Sequence, residues 1–265
     1  MPAAPSISSF QRALLTWYSR EMRDLPWRRT TDPYRILVSE VMLQQTQVDR
    51  VIPKYNAFLA RFPDVASLAA APASAVITSW AGLGYNRRAL NLQRAAQQVV
   101  VRGRFPETGE QLDELPGVGP YTARAVASFA FNRDEAVLDT NVRRLFLRFF
   151  FAADGTEGDV ARRVVEALPK GNARVWNNAV MELGALVCTA EHPACGVCPL
   201  KSSCEAFKRK RFKVENRSKQ SAFKGSDRFY RGRIVDALRD APGHGLPVAS
   251  LSFVPRGKRE MIIEG

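Results

Sequence analysis

Long apolar runs are absent from this 265-residue chain: no stretch approaches the roughly 18 consecutive apolar residues that a membrane-spanning helix needs. The N-terminal stretch MPAAPSISSFQRALL also lacks the charged start and the long apolar core of a signal peptide. Both absences predict an intracellular protein, without a membrane partner, in a compartment where thiols stay reduced.

Alternating patterns of useful length, which mark β-strands, are missing from the first 200 residues. Apolar residues instead recur every three or four positions, which predicts an all-α fold. The segment VRRLFLRFFF (142–151) has some strand character, but its apolar residues fit a helical stripe better. The predicted helices cover 8–24, 33–46, 48–61, 65–80, 87–101, 112–131 (two short helices around a turn), 142–151, 159–168, 173–187 and 227–240.

Acidic residues are too few to balance the basic ones: 26 Asp and Glu face 39 Lys and Arg, for a net charge of +13. An excess of this size favours a polyanionic partner, most simply nucleic acid. The excess is densest in 201–233, where twelve Lys or Arg accompany three acids. This composition predicts a flexible basic linker that adds phosphate contacts.

Cysteine is scarce, and its four residues lie within 17 positions, spaced C-x6-C-x2-C-x5-C. Structural disulfides are not expected in a reducing compartment, whereas four thiolates this close in sequence can all reach one metal centre. Zinc suits four thiolates, although zinc ribbons usually present two short C-x2-C pairs and this chain has one. The candidate ligands are Cys188, Cys195, Cys198 and Cys204.

The stretch LPGVGPYTARAV (115–126) places one valine between two glycines and follows them with a proline. Glycine permits the backbone angles of a tight turn, and proline suits the first position of a helix. Two short helices that meet across such a turn leave amides at a helix N-terminus that can bind a phosphate oxygen. The glycines alone fit an ordinary helix–turn–helix corner equally well.

That stretch resembles the helix-hairpin-helix of the endonuclease III superfamily of DNA glycosylases, and the resemblance extends over about residues 10–205. Further motifs narrow the resemblance to the adenine DNA glycosylases of the MutY type. SEVMLQQTQV is the most diagnostic, because other branches of the superfamily differ at its glutamate and its glutamine pair. The motifs are LPWR (25–28), SEVMLQQTQV (39–48), GLGY (82–85), VLDTNV (137–142) and MELGALVC (181–188).

Two carboxylates carry the chemistry that this resemblance implies. Glu40 would protonate adenine N7, which makes the base a better leaving group, and Asp139 would stabilise the oxocarbenium-like sugar. Spacing alone places Glu40 on the polar face of its helix, whereas the resemblance implies an acid kept partly neutral by apolar surroundings. Asn141 is implied to hold the sugar region and Tyr121 to order the site.

Tyr121 also stands where bifunctional members of the superfamily carry the lysine that attacks the sugar. A phenol cannot form a Schiff base, so we expect no lyase step.

The resemblance further implies which residues contact DNA. A duplex base must leave the stack to be reached, and other groups must fill the gap. For Leu83 and Tyr85 of the GLGY motif, the alternative interpretation is a plain turn whose side chains belong to the core. The implied roles are adenine framing for Arg28 and Glu182, orphan-base contacts for Gln45 and Thr46, a wedge for Leu83 and Tyr85, and phosphate binding for Gly117, Val118 and Gly119.

The cysteine spacing is that of the [4Fe–4S] loop in this superfamily, so the resemblance implies that cluster as the cofactor, in a structural or DNA-positioning role. It also implies two helical domains that flank a catalytic, DNA-binding cleft. The expected domains are an iron–sulfur domain (1–30 and 134–207), a six-helix barrel domain (31–133, with the hairpin at 112–127), and a basic linker with a short extension (208–265).

The expected function is therefore a monomeric, monofunctional glycosylase that removes adenine opposite 8-oxoguanine or guanine in duplex DNA, in the cytoplasm at the nucleoid. A thymine/uracil mismatch glycosylase of the same superfamily and a non-catalytic lesion-binding protein are the alternatives. Typical members continue into a Nudix-like domain that reads 8-oxoguanine. The 61 residues after Cys204 are too few for one, which leaves open a naturally short or a cut chain.

Overall fold

A computed structural model describes residues 5–214 and 222–264. These residues contain helices and no strand, so the all-α prediction is confirmed. None of the described helices is long and apolar enough to cross a membrane. The α-helices are α1 (Ile7–Glu21), α2 (Pro33–Leu43), α3 (Val48–Arg61), α4 (Val65–Ala70), α5 (Ala73–Ser79), α6 (Arg87–Arg102), α7 (Gly109–Asp113), α8 (Pro120–Phe131), α9 (Thr140–Phe151), α10 (Glu157–Glu166), α11 (Ala173–Leu186), α12 (Glu205–Arg209), α13 (Asp227–Asp240) and α14 (Arg256–Glu264).

Three predicted helices differ from the structure at points where the backbone leaves the helical region. The helix predicted over 65–80 is two helices, because Pro72 holds Ala71 in an extended conformation. The first helix ends at Glu21, three residues early, and Met22 is extended. The helix predicted to reach 46 ends at Leu43, and Gln45 follows with a φ of 56°.

The described chain forms two compact units, and the first comprises residues up to 40 together with 105–216. Its core is aromatic. The Phe10 ring lies 5.4 Å from Phe146, 4.7 Å from Phe149 and 5.5 Å from Trp176, measured between ring centroids. Helix α11 packs against both α1 and α9. The N-terminal helix is therefore held by elements that are distant from it in sequence.

The second unit comprises residues 41–104 and the chain after 216. Phe58 and Trp80 pack edge to face with ring centroids 5.9 Å apart, and α4 packs along α6. The C-terminal helices α13 and α14 pack against each other around Leu251, Val254 and Ile262.

The compact units do not coincide with the predicted domains. Residues 105–133, assigned to the six-helix domain together with 31–104, cluster with the N-terminal helix instead. The predicted domains were defined by the resemblance and stay a prediction.

The predicted flexible linker (201–233) is partly helical. Its first part contains α12, which packs against α9 and buries Ala206, because apolar residues there interrupt the basic run. Its last part begins α13, as predicted over 227–240. Three of its charged residues, Glu215, Arg217 and Lys219, lie outside the described residues.

Candidate active site

The hairpin consists of α7, a tight turn and α8. Thr108 caps α7, and Gly117 adopts a φ of 77° in the turn, a region that favours glycine. Gly119 caps α8, whose first residue is Pro120, as predicted. A methyl group on Gly119 would meet no atom within 4 Å, so a phosphate has room to approach the first turn of α8.

Val118, between the two glycines, is less accessible to a phosphate than they are. Its side chain is buried, and its amide donates to the Leu115 carbonyl at 3.0 Å. That amide is already used inside the turn. Of the three residues predicted to bind phosphate, the glycines are therefore the better placed.

Glu40 is buried in α2, with 5% of its surface exposed. The expectation from spacing, a polar helix face, is wrong, because that part of α2 is covered by packing on all sides. Burial and, to a smaller extent, the negative charge of Asp139 raise the pKa of Glu40, a hydrogen bond with Tyr121 lowers it, and the resulting pKa is about 7. Glu40 is thus an acid that holds a proton near neutral pH.

Tyr121 lies beside Glu40 in the first turn of α8. Burial raises the pKa of its phenol well above the ordinary value, and the charges of Glu40 and Asp139 act in the same direction. The phenol therefore stays neutral and serves Glu40 as a hydrogen-bond partner.

Asp139 is fixed at the N-cap of α9. One carboxylate oxygen accepts from the Val142 amide at 2.6 Å, and the other accepts from Asn141 Nδ2 at 2.9 Å. Asn141 Oδ1 in turn accepts from Arg144 at 2.8 Å, and Arg144 also donates to the Gly184 carbonyl at 2.7 Å. Asp139 is held by the helix terminus and by a chain of side chains behind it.

Gly184 allows this arrangement by close approach. A methyl group there would lie 2.9 Å from Asn141 Cβ and 3.0 Å from the Asn141 carbonyl oxygen. Any larger residue at position 184 of the MELGALVC motif would push α11 away from the start of α9.

Glu182, predicted to frame adenine with Arg28, lies at the centre of a buried ion cluster. Arg28 and Arg23 each form a two-pronged pair with its carboxylate, at 2.7 to 3.0 Å. Burial alone would raise the pKa of Glu182, but the hydrogen bonds from Arg23 and Arg28 outweigh it and hold the value at about 2. The carboxylate is therefore permanently charged.

Arg88 organises the two loops of the second unit in which orphan-base contacts were predicted. Its guanidinium donates to six acceptors and lies 5.5 Å from the ring centroids of both Trp80 and Tyr85. A single arginine thus ties the end of α2 to the GLGY turn. The acceptors are the carbonyls of Val41, Met42, Gln44, Leu83 and Gly84 and the Thr46 hydroxyl.

The two residues predicted to form a wedge beside the orphan base differ in exposure. Leu83 is buried, as the plain-turn interpretation expects, whereas Tyr85 is 45% exposed. Gln45 and Tyr85 both have left-handed backbones, with φ of 56° and 47°. Such conformations cost about 1–3 kcal/mol for non-glycine residues and are concentrated at functional sites.

All four cysteines line one cavity between α9 and the loop that follows α11. Arg148 fastens this loop by donating to the carbonyls of Thr189, Ala190 and Phe212 at 2.6 to 2.9 Å. Burial raises the pKa of the Cys198 thiol to about 11. Within the described residues, no group of three or more His, Cys, Asp or Glu side chains already has the geometry of a metal site.

Known proteins resemble this chain in sequence and in fold. The model of the HhH-GPD superfamily of base excision DNA repair proteins matches residues 38–170. The adenine DNA glycosylase of Mycolicibacterium smegmatis is 43% identical over 237 residues, which cover 86% of this chain and 80% of that protein.

The chain belongs to the adenine DNA glycosylase family.

The human adenine DNA glycosylase is 42% identical over 222 residues, which cover 77% of this chain but 40% of that protein. Among solved structures, a thermostable thymine-DNA glycosylase matches with a TM-score of 0.70 and 28% identity, over 77% of this chain and 97% of that one. An endonuclease III–DNA covalent intermediate matches with a TM-score of 0.65 and 22% identity, over 77% and 98%, which shows the same fold.

Four arginines that support the site of this adenine DNA glycosylase family member were not identified from the sequence. Each supports a predicted site residue or a cysteine and belongs to no motif of its own, and each has at least one partner that is distant in the chain. One signal was present: Arg144 and Arg148 lie one turn apart on a helix that is otherwise largely apolar. The four are Arg23, Arg88, Arg144 and Arg148.

Proposed function

We propose that this chain is a monofunctional adenine DNA glycosylase of base excision repair. It would hydrolyse the N-glycosidic bond of adenine opposite 8-oxoguanine or guanine in double-stranded DNA. The observation that carries the proposal is the pairing of a buried, neutral acid, Glu40, with the fixed carboxylate of Asp139.

Glu40 has the property that adenine departure requires. Adenine leaves poorly as an anion, and a proton at N7 removes that charge. A carboxylic acid with a pKa of about 7 is about half protonated at neutral pH, and it gives up its proton more readily than a phenol would. Glu40 then acts as the general acid.

Asp139 supplies the complementary charge. Loss of the base leaves positive charge on the sugar, which a carboxylate can stabilise or briefly trap. Both oxygens of Asp139 accept hydrogen bonds, which fixes their direction before the sugar charge develops. Water then completes the hydrolysis. Tyr121 hydrogen-bonds with Glu40, and because a phenol cannot form a Schiff base we expect no covalent lyase step.

Glycosylase activity can be tested with three duplexes that carry adenine opposite 8-oxoguanine, adenine opposite guanine, or thymine opposite guanine. We expect strand breaks at the first two, and only after hot alkali. Asp139→Asn should abolish excision and keep duplex binding, because asparagine also caps helices. Cleavage of the thymine duplex alone would support a thymine glycosylase, and binding without cleavage of any duplex a lesion-binding protein.

For the cysteine cavity we propose a [4Fe–4S] cluster in a structural or DNA-positioning role. The fit rests on the donor set: four thiols line one cavity, and Arg148 closes the loop around them. A bound metal centre would stabilise the thiolate form of Cys198, whose pKa burial otherwise raises to about 11. Anaerobically prepared protein should be brown with about four irons per chain. Colourless protein that contains zinc would contradict this assignment.

The proposed partner is duplex DNA with a mispaired or oxidised base pair, bound by a monomer at the nucleoid. The exposed lysines Lys210 and Lys213, which follow α12, supply phosphate contacts in this proposal. Replacing both by glutamine should reduce the slope of log K against log salt by about 0.9 for each phosphate that is no longer neutralised. An unchanged slope would remove this stretch from the DNA-binding surface.

A further inference from the structure

Helix α13, in the C-terminal part of the second unit, touches the GLGY loop. Arg228 Nη1 donates to the Tyr85 phenolic oxygen at 3.4 Å, although the two residues are 143 positions apart. Helix α13 also packs against α5, the helix that leads into this loop. The contact is therefore part of a larger packed arrangement.

Tyr85 needs such support because its backbone is left-handed and its side chain is 45% exposed. An aromatic residue keeps this conformation only where its surroundings hold it. Arg88 lies over the face of the ring, at 5.5 Å from the centroid. Arg228 contacts the phenolic oxygen at the end of the same side chain. The two arginines together restrict both the position and the orientation of the ring.

The helix that carries Arg228 is itself anchored. Lys258 of α14 forms an ion pair with Asp227 at 2.8 Å, and the Arg233 guanidinium lies 4.4 Å from the Phe253 ring centroid. Tyr230 and Ile234 pack on the small apolar core that α14 shares. Arg228 is thus presented by a folded element and not by a loose tail.

We propose that the C-terminal helices α13 and α14 contribute to the DNA-contacting surface, with Arg228 as a positioning residue for Tyr85. Its partner is the duplex at the base opposite the excised adenine, and this assignment rests on the proposed function. Arg228 also brings a positive charge to the loop, where a phosphate of the opposite strand can meet it. The segment thereby adds to lesion recognition from a position far from the hairpin in sequence.

A double-mutant cycle tests this role. The probe is a duplex with a tetrahydrofuran abasic site opposite 8-oxoguanine, which cannot be cleaved, and the dissociation constant is measured. Arg228→Gln and Tyr85→Phe should each weaken binding by about 3–10-fold, the range for the removal of one ordinary hydrogen bond. The double variant should be no weaker than the poorer single variant, because both changes remove the same hydrogen bond.

Arg231→Gln is the matched control, since Arg231 lies on the same helix, is exposed, and carries the same charge. Its effect should add to that of Tyr85→Phe. Repeating the cycle with guanine opposite the tetrahydrofuran should show a smaller preference for 8-oxoguanine in Arg228→Gln than in wild type. Thermal unfolding should be unchanged in both arginine variants.

Independent, additive effects of Arg228→Gln and Tyr85→Phe, or an unchanged preference for 8-oxoguanine, would overturn the proposal. Excision by the wild-type protein is measured separately. A protein that excises adenine but gives additive effects contradicts only the role of Arg228. A protein that gives coupled effects but removes no adenine contradicts only the proposed function.

Discussion

Two glutamates of the first unit are almost equally buried and have opposite proton affinities. Glu40 is 5% exposed and Glu182 is 1% exposed. The pKa of Glu40 is raised to about 7, whereas that of Glu182 is lowered to about 2. Burial opposes the charge at both positions, so it cannot account for the difference.

The neighbours of each carboxyl group decide the outcome. Glu40 faces a neutral phenol and the negative charge of Asp139, and that charge adds to the cost of ionisation. Glu182 faces two guanidinium groups that bind both of its oxygens. One glutamate is therefore suited to deliver a proton, and the other to anchor the chain after α1 to α11. The same residue type becomes acid or anchor according to its partners.

Among substitutions of Glu40, Glu182 and Arg88, Glu40→Gln should cause the largest loss of excision activity. Glutamine cannot deliver the N7 proton, so single-turnover excision should fall by about 1000-fold. The same change should raise the free energy of unfolding above pH 7 by about 3 kcal/mol, because it removes a buried charge. This gain should fade towards pH 4.5, where glutamate is protonated in the folded and the unfolded state. Denaturant unfolding at several pH values measures it, and duplex binding serves as the control.

Glu182→Gln is the same chemical change at the other buried glutamate, and we expect the opposite sign. It leaves the guanidinium groups of Arg23 and Arg28 without their counter-charge. The free energy of unfolding should fall by about 3 kcal/mol, the low end of the range for broken buried pairs, because Arg23 is a third exposed. Wild-type protein keeps this contribution above pH 4.5 and loses it as the pH falls through about 2. Equal stability changes at both positions would refute the comparison.

The pH dependence of excision sharpens the assignment of Glu40. As the acid form is the active one, the single-turnover rate should be level below about pH 7 and fall about tenfold per pH unit above it. Binding of the tetrahydrofuran duplex over the same range controls for changes in affinity. A rate that rises above pH 7 would make Glu40 a base instead.

Arg88→Lys extends the comparison to an arginine that binds carbonyl groups instead of a carboxylate. An ammonium group cannot reach six acceptors in two loops at once, so the loops should separate. We expect duplex binding to weaken about tenfold, the equivalent of removing one or two hydrogen bonds, with a smaller change in excision at saturating enzyme. Arg87→Lys, at an exposed neighbour, is the matched control. Equal effects from both variants would show that only charge matters there.

The helices, the hairpin and the family could all be predicted from the amino-acid sequence. Their signals are local: apolar spacing, a Gly-Val-Gly-Pro turn and short motifs all lie within a few residues of one another. The resemblance also predicted Glu40 and Asp139 as the reacting pair, and this stays a prediction. Spacing alone misplaced Glu40, because helical periodicity cannot tell a polar face from a buried one that is covered from several directions.

The chemical properties of these groups depend on contacts between residues that are distant in sequence, so they could not be predicted from local motifs. The arginines that set the charge of Glu182 include Arg23, 159 positions away, and the residue that supports Tyr85 comes from the C-terminal helix. A basic chain offers 39 cationic side chains, and nothing local distinguishes those few from the rest. Proton affinity depends on desolvation and on charges within a few ångströms, so it is a property of the packed site and not of the segment that supplies the residue.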